Sequence, residues 1–158
     1  MAIFMKFGAV EGPVTTKGYE KWTELTSFQF GVGRGIGSAM AGGSGRESSA
    51  PSISEIVVTK TMDVSSPGLW KDATAGEVNT TVSIFFTRTS AGETIDFLSY
   101  ELIDCGLSGY SVSSGGDMPT ESLSMNFAKI NWTLKYPASD GTTTPSTQGY
   151  DLTTQTST

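Results

Sequence analysis

The stretch Glu121-Ser-Leu-Ser-Met-Asn-Phe-Ala-Lys-Ile-Asn-Trp-Thr-Leu-Lys-Tyr136 decides how the chain is read. Leu123, Met125 and Phe127 fall on every second position, and from Ala128 the alternation continues one step out of phase through Ile130, Trp132, Leu134 and Tyr136. A period of two marks a half-buried strand, because successive side chains leave opposite faces. A change of parity inside an unbroken alternation predicts a β-bulge or sharp coil. The same switch occurs earlier, where Ile95 and Phe97 give way to Leu98, Tyr100 and Leu102. Long strands bent in this way, with glycine- and serine-rich turns such as Ser114-Gly-Gly-Asp117 between them, predict a barrel of antiparallel strands rather than a flat open sheet.

Working outward, the other segments obey the same rule. Ile3, Met5, Phe7 and Ala9 share one face of a first strand, with Phe4 and Val10 on the other and Gly12-Pro13 at its end. Phe28, Phe30 and Val32 share a face of the next, so Gln29 between them points away from the core. Ile56, Val58 and Met62 mark a third strand, and Val78, Val82, Ile84 and Phe86 a fourth. One short flanking helix is expected over about 65–76. Serine precedes proline at its start, Gly76 serves as a left-handed stop, and Leu69, Trp70 and Ala73 form the apolar stripe. The segment 31–46 holds seven glycines in sixteen residues and predicts a long extended loop over about 34–52. A single domain over 1–158 is expected, with 137–158 a partly ordered tail whose strand-like piece is Tyr150–Thr153.

Composition agrees with an all-β reading and removes much chemistry. The 158 residues include 21 serines, 22 threonines and 19 glycines, but only 16% are charged, against about 25% in an average soluble protein. Histidine is absent, which excludes histidine general bases, Ser-His-Asp and Cys-His nucleophiles and histidine-built metal centres. The single Cys105 can form no internal disulfide. With no local cation to lower its pKa it reads as structural. Ten Lys and Arg against sixteen Asp and Glu give a formal charge of −6 without basic clusters, so neither nucleic acid nor membrane insertion is expected.

The Gly31–Gly37 spacing fits neither phosphate-binding glycine motif. Glu93, Asp96, Glu101 and Asp104 could supply a carboxylate pair, but they read as a solvated strand face. Asn79-Thr-Thr and Asn131-Trp-Thr match glycosylation acceptors by coincidence. Met1–Val10 lacks the basic start and long apolar run of a cleavable signal, so cytosolic synthesis without signal-directed export is expected.

Taken in order, the segments resemble the Hcp (haemolysin-coregulated protein) family, the tube protein of bacterial type VI secretion systems. The resemblance is carried by Ile3-Phe-Met-Lys-Phe-Gly8 with Gly12, by Phe28-Gln-Phe-Gly31 before a long Gly/Ser loop, and by Val58-Thr-Lys-Thr-Met-Asp63 leading into Ser65-Ser-Pro-Gly-Leu69. Glu121–Thr133 and Gly149-Tyr-Asp151 complete it. It implies a β-barrel with one helix, no enzymatic activity and no cofactor or metal. It further implies homo-hexameric rings that stack into a tube, spike and sheath proteins as partners, secreted effectors carried in the lumen, and passage from the bacterial cytoplasm through the type VI apparatus. Gln29 is then the lumen- and effector-facing residue, and Gly35, Ile36, Met40, Arg46 and Glu47 are the ring-stacking residues of the loop. Six copies would carry six times the formal charge, a repulsion that salt screens, so stacking should strengthen with ionic strength. The alternative is a monomeric β-sandwich binding module, for example for carbohydrate. For that reading the alternation buries Trp132 and the helix stripe buries Trp70, leaving Trp22 as the stacking platform.

Overall fold

The computed structural model describes residues 1–38, 46–137 and 141–158, and within them every strand pairing is antiparallel. The longest strand organises the rest. It is β8, Glu93–Ser113, numbered in chain order after β1 (Ala2–Phe7), β2 (Thr23–Leu25), β3 (Ser27–Gln29), β4 (Val32–Gly33), β5 (Ser52–Ile53), β6 (Ile56–Thr61) and β7 (Thr80–Ser90). The N-terminal half of β8 lies between β7 and β10 (Lys129–Leu134), and its C-terminal half pairs with β9 (Thr120–Asn126). One strand can serve two directions because bulges bend it. Phe97 is the extra residue opposite Phe86 and Thr87, where the sequence parity changes. Two further register shifts, near Asp104 with its φ of 51° and at Ser108, carry the strand round to β9.

The other parity change has a different outcome. Leu123 to Tyr136 is not one bulged strand but two strands on different parts of the sheet. β9 ends at Asn126, Ala128 N–H donates to the Ile103 carbonyl, and β10 begins at Lys129 beside the other half of β8. The phase shift keeps Leu123, Met125 and Ile130 turned to one core while the chain changes neighbours.

The fold is mainly β with one short helix, as expected. The expected barrel takes the form of a strongly bent sheet. Thr23–Gln29 gives its first half, β2, to β1 and its second half, β3, to β6, and at the kink Thr26 N–H donates to the Thr59 carbonyl at 2.8 Å. The enclosed core is built from Met5, Ile56, Val58, Val82, Ile84, Leu102 and their neighbours. Outside it, the loop after β1 lays Tyr19 and Trp22 over Phe4 and Phe85, with ring centroids 5.0–6.0 Å apart.

Several sequence expectations are corrected at element ends. β1 stops at Phe7, because Gly8 turns the chain at φ +54°, before Gly12-Pro13. Val78 lies ahead of β7 and is exposed. Val32 lies beyond the core sheet and is likewise exposed. The helix α1, Ser66–Ala75, packs through Ser66, Leu69 and Ala73, the 3-and-4 spacing of one helical face, which leaves Trp70 57% exposed instead of buried. Ser65 makes no side-chain cap, and Gly76 is extended (φ −72°, ψ 151°). Glycine is needed there for closeness, since a Cβ would overlap Asp72. Beyond Pro137, β11 (Ser146–Asp151) pairs with all of β10, and β12 (Thr156–Ser157) pairs with its end. β11 thereby covers the otherwise open edge of β10.

Candidate functional site: an uncharged sheet face, a ribbon and a buried ion pair

Gln29 stands at the end of β3, exposed, opposite Val57 of β6, which in turn faces Ser124 of β9. Residues directly opposite in antiparallel strands share a face, so the register extends this surface row by row. Ser27, Thr59, Ser122 and Ser111 form the next row, and Thr61, Thr120 and Ser113 the one after. The intervening residues Ile56, Val58, Leu123 and Met125 are fully buried, which sets this face outward. None of these outward positions carries an ionisable side chain. Its hydroxyls bond across strands: Thr59 Oγ1 lies 2.8 Å from Thr26 Oγ1 and 2.6 Å from Ser27 Oγ. Glu55 stands at the rim, where its carboxylate accepts a hydrogen bond from Ser108 Oγ.

The segment expected as an irregular loop over about 34–52 is a two-stranded ribbon in its described parts. Val32 pairs with Ile53 and Gly33 with Ser52; Ile36 bridges to Ser48, Ser49 N–H donates to the Gly35 carbonyl at 2.8 Å, and Gly37 N–H to the Glu47 carbonyl at 2.7 Å. Arg46 Nε donates to the Gly37 carbonyl. Gly35, Ile36, Arg46 and Glu47 therefore belong to one exposed ribbon continuing from β3 and β6, with Ile36 54% exposed; Met40 lies outside the described residues. The ribbon starts at the Gln29 end of the uncharged face, so the two candidate surfaces adjoin.

The sequence reading missed a third group. Lys60 and Glu121, directly opposite on β6 and β9, are both fully buried and form an ion pair at 2.6 Å. Ser66 Oγ at the start of α1 donates to Glu121 Oε1 at 2.6 Å, Tyr110 Oη donates to Glu121 Oε2, and Asp63 Oδ1 lies 3.2 Å from Lys60 Nζ. Burial opposes ionisation of Glu121, but the hydrogen bonds from Lys60, Ser66 and Tyr110 outweigh it and hold the carboxyl below its ordinary range. Burial and the adjacent Glu121 carboxylate push the Tyr110 hydroxyl up to about 12. The signal in the sequence was parity: Lys60 continues the Ile56–Val58 series and Glu121 precedes Leu123–Met125, so two opposite charges occupy inward positions. Their place explains why α1 docks where it does, since Ser66 links its first turn to both strands.

The remaining candidates do not converge. Asp96 pairs with Lys135 at 2.9 Å, whereas Glu93, Glu101 and Asp104 are exposed. Among the described residues no three of Asp, Glu and Cys come together in a way that could hold a metal. Cys105 is fully buried, and burial, with Asp72 nearby, pushes its thiol up to about 12, so it stays protonated. Trp22 is packed edge-on against Tyr19 and Phe85, and Trp132 is half-buried with its ring 6.3 Å from Tyr100. The platform expected of Trp22 is thus taken up internally. Among the described residues no helix is long and apolar enough to cross a membrane.

The whole architecture matches solved structures. A structure described as that of a type six secretion system protein covers 99% of both chains at 26% identity, with a TM-score of 0.87. Hcp1 from Salmonella typhimurium covers 99% of this chain and 98% of its own at 20% identity and a TM-score of 0.77. The secreted protein Hcp3 from Pseudomonas aeruginosa covers 91% and 97% at 20% identity and a TM-score of 0.61. No curated protein matches the chain in sequence. The family model described as "Type VI secretion system effector, Hcp" matches residues 4–134, from the first core strand through β10, so the chain belongs to the Hcp family.

Proposed function

We propose that this chain is a structural, non-enzymatic tube component of a bacterial type VI secretion system. It assembles into homo-hexameric rings, the rings stack, and the tube leaves the cytoplasm through the secretion apparatus, in contact with its spike and sheath. The observation that carries the reading is the family match over residues 4–134. The geometry supports it: a tube needs a lining and a connector, and the uncharged face with Gln29 and the ribbon with Gly35, Ile36, Arg46 and Glu47 supply adjoining candidates for those roles.

Mass in solution and negative-stain imaging test the assembly: particles six times the 16.7 kDa of one chain, ring-shaped, are expected. Monomers at every concentration would refute it. Gln29→Arg should leave the ring intact and impair loading of cargo inside it, whereas dissociation into monomers would place β3 at the subunit interface instead. Removal of residues 39–45 should preserve hexamers and weaken stacking. Unchanged tube formation and secretion by that deletion would take the segment out of the stacking contact.

A further inference from the structure

We infer that α1 is a hinged lid on the core: its first turn is the hinge, Asp72 is the latch at its swinging end, and it opens over Cys105 while the sheet stays paired. The two ends of the helix are held unequally. At the first turn Ser66 Oγ donates to Glu121 Oε1 and accepts from Lys60 Nζ and from the Asp63 N–H, so one side chain is tied to both central strands and to the turn before the helix. At the far end, among the described residues, a single hydrogen bond reaches the sheet, from Leu107 N–H to Asp72 Oδ2 at 3.1 Å. The Thr74 hydroxyl and the Gly76 N–H bond back into the helix itself, and residues 74–79 are exposed.

Apolar anchoring is equally sparse. Within α1 the buried residues are Ser66 and Leu69, with Ala73 partly covered. A helix of ten residues is too short to be stable alone, so it is ordered only while docked. On the side toward β1 a recess of about 490 Å³, walled by Phe7, Val10, Val64 and Gly68, leaves it room to turn. Cys105 lies beneath the latch: it is fully buried, two residues before Leu107, and near enough to the Asp72 carboxylate for that charge to help keep the thiol protonated. Segments with few buried apolar contacts open at a fraction of the free energy of the whole domain. β6 and β9 are the contrast, since they bury Ile56, Val58, Leu123 and Met125 completely. Swinging α1 about Ser66 therefore uncovers the end of the core at Cys105 and Leu107 without breaking a strand pairing.

The test uses the full chain in its native assembly and its single thiol. Dithiodipyridine at neutral pH captures Cys105 whenever the lid opens, and the released pyridinethione is read by absorbance. Native protein should label at a rate that barely changes with urea below the unfolding transition, because a lid exposes far less surface than loss of the sheet. Asp72→Ala should label at least about tenfold faster, the effect of losing one hydrogen bond to a charged group. Asp72→Asn, which keeps an acceptor, should recover part of the difference, and Trp70→Ala, on the outward face, should label as the native chain does. Amide exchange supplies a reading that needs no variant: residues 66–76 and the Leu107 N–H should exchange together while β6 and β9 stay protected. Labelling that follows global unfolding with the same urea slope in every variant would overturn the lid, as would α1 amides as protected as those of β6. An Asp72→Ala chain that labels no faster than native would overturn Asp72 as the latch.

Discussion

Strands β6 and β9 run paired over six residues and put opposite chemistry on their two faces. Outward they present Val57, Thr59, Thr61, Ser122 and Ser124; inward they carry the buried pair Lys60 and Glu121 among Ile56, Val58, Leu123 and Met125. The usual arrangement is charge outside and neutral inside. Its reversal here teaches that the two faces answer to different constraints. Inside, a charge is tolerated because its partners are fixed: Glu121 receives bonds from Lys60, Ser66 and Tyr110, and Lys60 has Asp63 as a second anion. Outside, no such fixed partners exist on the isolated chain, and the surface is left neutral.

The largest expected effect breaks the inner half of that comparison. Lys60→Met or Glu121→Leu alone strands one buried charge, which typically costs about 3–5 kcal/mol. Both together remove the charge and the desolvation with it, so the double variant should lie near native stability or exceed it by about 1–4 kcal/mol. Denaturant unfolding of the three variants measures the cycle. A double variant as unstable as the worse single would mean that the pair is needed for docking α1 and not merely for neutrality.

Acid probes the same pair without mutation. Glu121 has a folded pKa below its unfolded value, so its contribution to stability is complete above the ordinary carboxylate range and is lost as pH falls through the depressed folded value. Native protein should therefore lose stability steeply below about pH 4.5, and the Lys60→Met/Glu121→Leu double variant should have a shallower acid limb. Identical limbs would transfer the acid sensitivity to other carboxylates.

Helix α1 offers the next step down. Leu69→Ala should cost about 2–5 kcal/mol, because Leu69 is fully buried, whereas Trp70→Ala one position on should stay within about 0.5 kcal/mol. The sequence could not separate these two. Both fit an apolar stripe, and only the contact face of Ser66, Leu69 and Ala73 decides between them.

That ambiguity is typical of what was legible. Alternation located most of the core strands, and the parity change at Phe97 marked an actual bulge. The same signal at Phe127–Ala128 meant a change of sheet neighbour, since a strand break and a bulge both shift parity by one and differ only in what the next residues pair with. The glycine-rich ribbon and the first four residues of β11 went unread as strands, only Tyr150-Asp151 at its end having been legible as strand-like, because they bury little: their pairing is backbone to backbone, and hydrophobic periodicity is blind to it. Gln29 was correctly read as facing away from the core. The extent of the uncharged face around it required the register, because Ser111, Ser122 and Thr59 are distant in sequence and become one row only through β6, β9 and β8.

The smallest effect sits one residue from the largest. Thr59 neighbours Lys60 on β6 but points outward, where its Oγ1 bonds Ser27 and Thr26. Thr59→Val keeps the β-branched shape and removes both bonds. A hydrogen bond is worth about 0.5–1.5 kcal/mol net, and the loss should fall at the low end because Thr26 is exposed and water can take the vacant place. Amide exchange should quicken locally across Thr26–Gln29 while global stability barely moves. A loss as large as that of Lys60→Met would instead make the hydroxyl row a structural clamp between β3 and β6, and its neutrality would then serve the fold before it served any cargo.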